Sequence, residues 1–114
     1  MPAVTPLSDA EYHAKTHAVL SGIEARTDRW LDEDLVDIDT QRNGGLLELA
    51  FPNGSKIIIN TQPPLHELWL AAKAGGYHFA YREGRWVDTR DGTEFFELLS
   101  REASTQAGLS LNFS

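Results

Sequence analysis

Six turn signatures crowd the stretch between residues 43 and 92: Asn43-Gly44-Gly45, Pro52-Asn53-Gly54-Ser55, Pro63-Pro64, Gly75-Gly76, Gly84 and Asp91-Gly92. Asn and Gly supply the positive φ that a tight reversal needs, and proline sets φ while removing a hydrogen-bond donor. The segments between these turns run to only six to ten residues. Segments that short, ending in tight reversals, suit neighbouring antiparallel strands better than packed helices.

The segments alternate as strands should. Val36, Ile38 and Thr40 interleave with Asp37, Asp39 and Gln41; Leu46–Phe51 and Lys56–Asn60 follow after the next two turns. Leu65–Ala72 is ambiguous on periodicity, but its length and the Gly75-Gly76 turn favour a strand. Tyr77, Phe79 and Tyr81 alternate in a fifth strand, and Trp86-Val87 lies in a short sixth.

Helical spacing appears only at the two ends. Ser8 and Glu11 form a capping-box pattern, and Tyr12, Val19, Ile23 and Trp30 recur on one side of a helix expected over Asp9–Leu31. Asp32-Glu33-Asp34 then reads as a charged exit loop. Thr93 can cap a second helix carrying Phe95, Phe96, Leu99, Ala103 and Ala107, which stops near Gly108. Helix, about six strands, helix: this order predicts an α+β two-layer sandwich, an antiparallel sheet with both helices on one face. The 114 residues form one domain, with residues 1–7 expected to be loose and the tail after Leu109 either folded back on the core or loose. The longest apolar runs are too short for a membrane span and no signal-peptide pattern is visible, so a cytoplasmic address is expected.

No cysteine is present, which excludes disulfides, thiolate metal ligation and a cysteine nucleophile. Phosphate-binding and dinucleotide-binding glycine patterns and a nucleophile elbow are also missing. His13 and His17 have the spacing of a zinc helix, but Ala14 stands where a metalloprotease needs glutamate. The chain is therefore not expected to be an enzyme.

Charge is more informative. The net charge is −7, and residues 1–39 hold nine acids against three bases, six of that excess. Such asymmetry argues for a cationic partner and against nucleic acid. On a helix, His13, His17, Glu24 and Asp28 fall within an arc of roughly 60° at about 100° per residue. Asp32 extends that stripe, and Asp37 and Asp39 add two carboxylates at i and i+2 if the first strand lies alongside. Crowded carboxylates gain when a multivalent cation arrives, and oxygen donors suit hard cations such as Fe³⁺, Ca²⁺ or Mg²⁺, imidazole widening this to Fe²⁺. An open ridge binds weakly and promiscuously. On the sheet, alternation turns Ile58, Leu68 and Leu70 inward and leaves Asn60, Trp69 and His78 on the other face, although parity alone leaves Trp69 divided between open face and core.

Asn43-Gly-Gly45, Asn53-Gly-Ser-Lys-Ile-Ile-Ile-Asn60, Pro64-Leu-His-Glu-Leu-Trp-Leu70, Gly75-Gly-Tyr-His-Phe79 and Asp91-Gly-Thr-Glu-Phe-Phe-Glu-Leu-Leu99 resemble the bacterial frataxins from about Ser8 to Gly108. The resemblance implies weak iron binding (Fe²⁺ or Fe³⁺, replaceable by other divalent cations) on an acidic ridge. It also implies modulation of iron–sulfur cluster assembly by docking on the cysteine desulfurase and its scaffold protein. By position the ridge takes in Glu11, His13, Glu24, Asp28, Asp37 and Asp39, with Asp32 beyond. The partner surface takes Glu24, Asp28 and Asp37 together with Asn60, Gln62 and Trp69, which the resemblance puts on the exposed sheet face. Ala25, Arg29 and Gln41 stand where bacterial relatives usually carry acids, implying a lower iron capacity. A monomer is expected, with iron-induced oligomers as the other state. The alternative reading is a ferroxidase that oxidises Fe²⁺ and stores it.

Overall fold

The computed structural model describes residues 3–114. Helix α1 spans Asp9–Asp32 and is followed by strands β1 (Asp39–Asn43), β2 (Leu46–Ala50) and β3 (Lys56–Gln62). A short 3₁₀ turn at Pro63–Leu65 leads into β4 (Glu67–Ala72), β5 (Gly75–Arg82) and β6 (Arg85–Asp88), and helix α2 covers Phe95–Ala107. The six strands lie in chain order, every neighbouring pair antiparallel. This is the expected sandwich.

Helix α1 starts where the capping box places it. Ser8 Oγ accepts from the Glu11 N–H at 3.1 Å, and Glu11 Oε1 accepts from the Ser8 N–H at 2.9 Å. Its buried face holds Tyr12, Val19, Leu20, Ile23 and Trp30. Thr16 and Thr27 are buried there too, each donating its hydroxyl to the carbonyl four residues earlier, which satisfies the polar group within the helix. Opposite stands the inner sheet face of Leu47, Leu49, Ile57, Ile59, Leu68, Leu70 and Phe79, and α2 adds Phe95, Leu98 and Leu99. Each such side chain contributes about 1.5–3 kcal/mol through burial, before chain entropy is set against it.

Several boundaries and faces differ from expectation. Asp32 is the last residue of α1 rather than part of the exit loop. Strand β1 begins at Asp39, leaving Asp37 in the connection. Ile58 turns outward, not inward: its neighbours Ile57 and Ile59 are fully buried, and a pleated strand cannot bury both parities on one side. The cap of α2 is Glu94, whose carboxylate accepts from the Phe96 and Glu97 N–H groups, while Thr93 N–H is bound by Asp91.

Both terminal segments, the first expected to be loose and the second either folded back or loose, make contacts with the fold where they are described. Thr5 donates its N–H to Tyr81 O at 2.8 Å and accepts from the Glu83 N–H, and Leu7 packs on the core; Met1 and Pro2 lie outside the described residues. At the other end Leu111 and Phe113 are buried, with Phe113 edge-on to Trp30. These contacts replace water as the partner of some backbone polar groups in the two segments.

Candidate metal and partner surface

The acids of the first third of the chain do not share one environment. Glu11 has one oxygen committed to the helix cap, and the Ser8 hydrogen bonds hold its carboxyl below the usual carboxylate range. His13 is exposed, edge-on to the Tyr12 ring. Glu24, half-buried, receives Arg42 Nη1 on Oε1 at 2.6 Å. Asp28 and Asp32 are exposed on the last two turns of α1, Asp37 is exposed in the connection, and Asp39 is exposed at the start of β1. Among the described residues none of these four makes an ion pair, whereas Glu24, Glu48, Asp9, Asp88 and Glu102 all do. The unengaged negative charge therefore collects between residues 28 and 39, joined there by exposed Glu33 and Asp34.

The first strand orients its acids in an unexpected way. Thr40 and Arg42 stand opposite Leu49 and Leu47, which belong to the inner face. Asp39 therefore turns toward the open side of the sheet at its edge, while Arg42 turns toward α1. Among the described residues no group of three or more His, Asp and Glu side chains converges to hold a metal ion. Any cation taken up here keeps much of its water shell.

The open sheet face is ordered by register. Asn60 stands opposite Trp69, and Trp69 opposite His78. The Trp69 and His78 rings stack at 4.0 Å with 6° between planes, and Trp69 Nε1 donates to Glu67 Oε1 at 2.9 Å. Trp69 is thus half-buried on the open face, not in the core. Ile58, Ala71 and Tyr77 join these residues around a depression of about 230 Å³. Gln62 lies two residues beyond Asn60; its backbone N–H donates to the Tyr12 hydroxyl at 2.9 Å, and that hydroxyl donates to Glu67 O at 2.6 Å. Tyr12 so fixes the β3–β4 connection that sets the position of Trp69.

Arg42 and His17 make contacts that spacing along the chain does not reveal: Arg42 meets Glu24, and its other terminal nitrogen meets His17 Nδ1. The available signal was a basic residue two positions after Thr40 on the inward parity of a strand flanked by acids.

Among the described residues the two-layer sandwich thus carries an unpaired acidic edge and an aromatic open sheet face. The frataxin-like domain model matches residues 5–109, and the chain belongs to the frataxin family. It is 51% identical over 108 residues to the iron–sulfur cluster assembly protein CyaY of Variovorax paradoxus (strain S110), covering 95% of this chain and 98% of that protein. It is 50% identical to the protein of the same name from Burkholderia mallei (strain SAVP1), covering 95% and 99%. Among solved structures, frataxin from Psychromonas ingrahamii is 36% identical with a TM-score of 0.82, over 95% of this chain and 99% of that one. A trimeric frataxin from the yeast Saccharomyces cerevisiae, complexed with ferrous iron, is 25% identical with a TM-score of 0.65, over 95% and 93%. No helix among the described residues is long and apolar enough to cross a membrane.

Proposed function

We propose that this chain binds iron weakly at its acidic edge and modulates iron–sulfur cluster assembly by docking on the cysteine desulfurase and its scaffold protein. The observation that carries this reading is the run of exposed carboxylates at Asp28, Asp32, Asp37 and Asp39, unpaired among the described residues, beside an aromatic open sheet face. Oxygen donors of this kind fit iron held openly as cargo, and other divalent cations would compete for them. A basic partner surface would be steered to the same edge, with Trp69, Asn60 and Gln62 supplying the contacts that persist once water is expelled. The protein acts in the cytoplasm, without catalysing a reaction of its own.

The test is a binding titration with the organism's own desulfurase over a range of salt, alongside an Asp28→Lys, Asp32→Lys double variant. Rising salt should weaken binding and the variant should lose at least about tenfold, close to 1.4 kcal/mol. Unchanged affinity in the variant refutes the edge as the docking site. The ferroxidase alternative draws on the trimeric, ferrous-complexed yeast relative. It predicts rapid O₂ consumption on Fe²⁺ addition that the same double variant abolishes.

A further inference from the structure

Three acceptors on one face of α1 converge on the guanidinium of Arg42. Glu24 Oε1 lies 2.6 Å from Nη1, Ser21 Oγ 3.2 Å from Nη1, and His17 Nδ1 2.9 Å from Nη2. A guanidinium only donates, so His17 Nδ1 must accept and its proton sits on Nε2, which faces Ser21 Oγ at 3.3 Å. Positions 17, 21 and 24 lie one above another at i, i+4 and i+7, so the helix itself holds a carboxylate, a hydroxyl and an imidazole nitrogen toward one point. The Arg42 side chain is 22% exposed and that of Glu24 32%, which places the contact partly out of solvent. The cavity beside it, about 430 Å³, is lined by His13, His17, Arg42, Gly44, Gly45 and Thr61 among others, leaving room for a hydrated ion.

We infer that the middle of α1 is a cation subsite filled by the chain's own Arg42, and that a metal ion gains Glu24 and His17 only where that side chain is displaced. The subsite would take a divalent transition-metal ion, since it mixes oxygen donors with imidazole nitrogen. A tethered guanidinium competes at high effective concentration and needs no desolvation of a free ion. Metal uptake by the native chain is therefore sorted to Asp28, Asp32, Asp37 and Asp39. This deepens the reading above and rests on it for the location of those remaining sites.

Chemical-shift changes on adding diamagnetic Zn²⁺, followed on the ¹⁵N-labelled full chain at the backbone amides and at the His17 ring nitrogens, separate the two locations. In the native protein the amides near 28–39 should shift while the His17 ring resonances stay in place. Arg42→Ala should bring shifts to the His17 ring and the Glu24 amide with roughly tenfold tighter Zn²⁺ binding there or more, because a unit positive charge in contact has gone. Adding Glu24→Gln to Arg42→Ala should reverse the gain. Arg42→Lys, which keeps a tethered cation, should resemble the native chain. Arg42→Leu, a good strand residue, serves if the alanine variant fails to fold. The inference is overturned if the native His17 ring shifts as strongly as the Asp28 amide, or if both neutral variants leave the pattern unchanged. If the native 28–39 amides stay in place while Arg42→Ala gains the mid-helix site, the subsite stands and the acidic-edge reading fails.

Discussion

Replacing Tyr12 by Phe tests how firmly the helix that carries the acids is tied to the strand that carries Trp69. The ring is fully buried, stacks on His66 at 4.7 Å and meets Trp86 edge-on, and phenylalanine preserves all of that. Only the hydroxyl is lost, and with it one bond from the Gln62 N–H and one to the Glu67 carbonyl. A buried donor left without a partner costs roughly 1–3 kcal/mol, and a carbonyl with a second lone pair somewhat less. The sum is about 2–3 kcal/mol. With unfolding entropy near 2.1 cal/mol/K per residue, that lowers Tm by roughly 8–12 °C for a domain of this size. Urea unfolding followed by tryptophan fluorescence should show a lower midpoint at unchanged slope. The same variant reports at high pH. Burial pushes the Tyr12 hydroxyl above its ordinary 10.0, so the folded chain keeps a proton that the unfolded chain releases. Stability from this group is present below about pH 10 and is lost as pH climbs toward the folded value, and Tyr12→Phe should remove that component of the alkaline slope. A loss under about 0.5 kcal/mol would refute the idea that this hydroxyl clamps the β3–β4 connection.

Three further outcomes are expected. Ser8→Ala should cost about 1 kcal/mol by chemical denaturation, as loss of an N-cap does. Glu11 is held below its ordinary 4.5 chiefly by the Ser8 N–H, so its contribution exists above that value and fades as acid protonates the folded carboxylate; Glu11→Gln should flatten that part of the acid limb. At Gly45 an added Cβ would lie 2.0 Å from Thr61 Oγ1, so Gly45→Ala should destabilise by about 1–3 kcal/mol, and Thr61→Ala in the same chain should recover most of it in a double-mutant cycle.

The sheet was legible because its information is local. Gly44 at φ 60° and Gly54 at φ 87° occupy turn conformations that Asn-Gly pairs announce, and the strands between them have nowhere else to go. The amphipathic face of α1 was equally plain, down to Tyr12 and Trp30. Strand parity at Ile57-Ile58-Ile59 was not, since three identical residues carry no alternation and only cross-strand neighbours decide which is outside. Nor could the ridge be divided from sequence. Glu24 and Asp28 share a helix face, yet one meets Arg42, 18 residues further on, and the other meets solvent. That difference is made by the crossing of α1 over the first strand, which no spacing rule reports.

The tail after α2 has a consequence for how the molecule is made. Arg26 donates to the carbonyls of Asn112 and Ser114, the former 86 residues away, and Phe113 closes over Trp30. Six hairpin-linked strands pair through contacts close in sequence, whereas the Trp30–Phe113 contact spans most of the chain and carries the loop-closure cost of a long-range pairing. The helix end that presents the exposed acids is thus braced by the most distant part of the fold, so slack in the tail would be felt first where the negative charge is displayed.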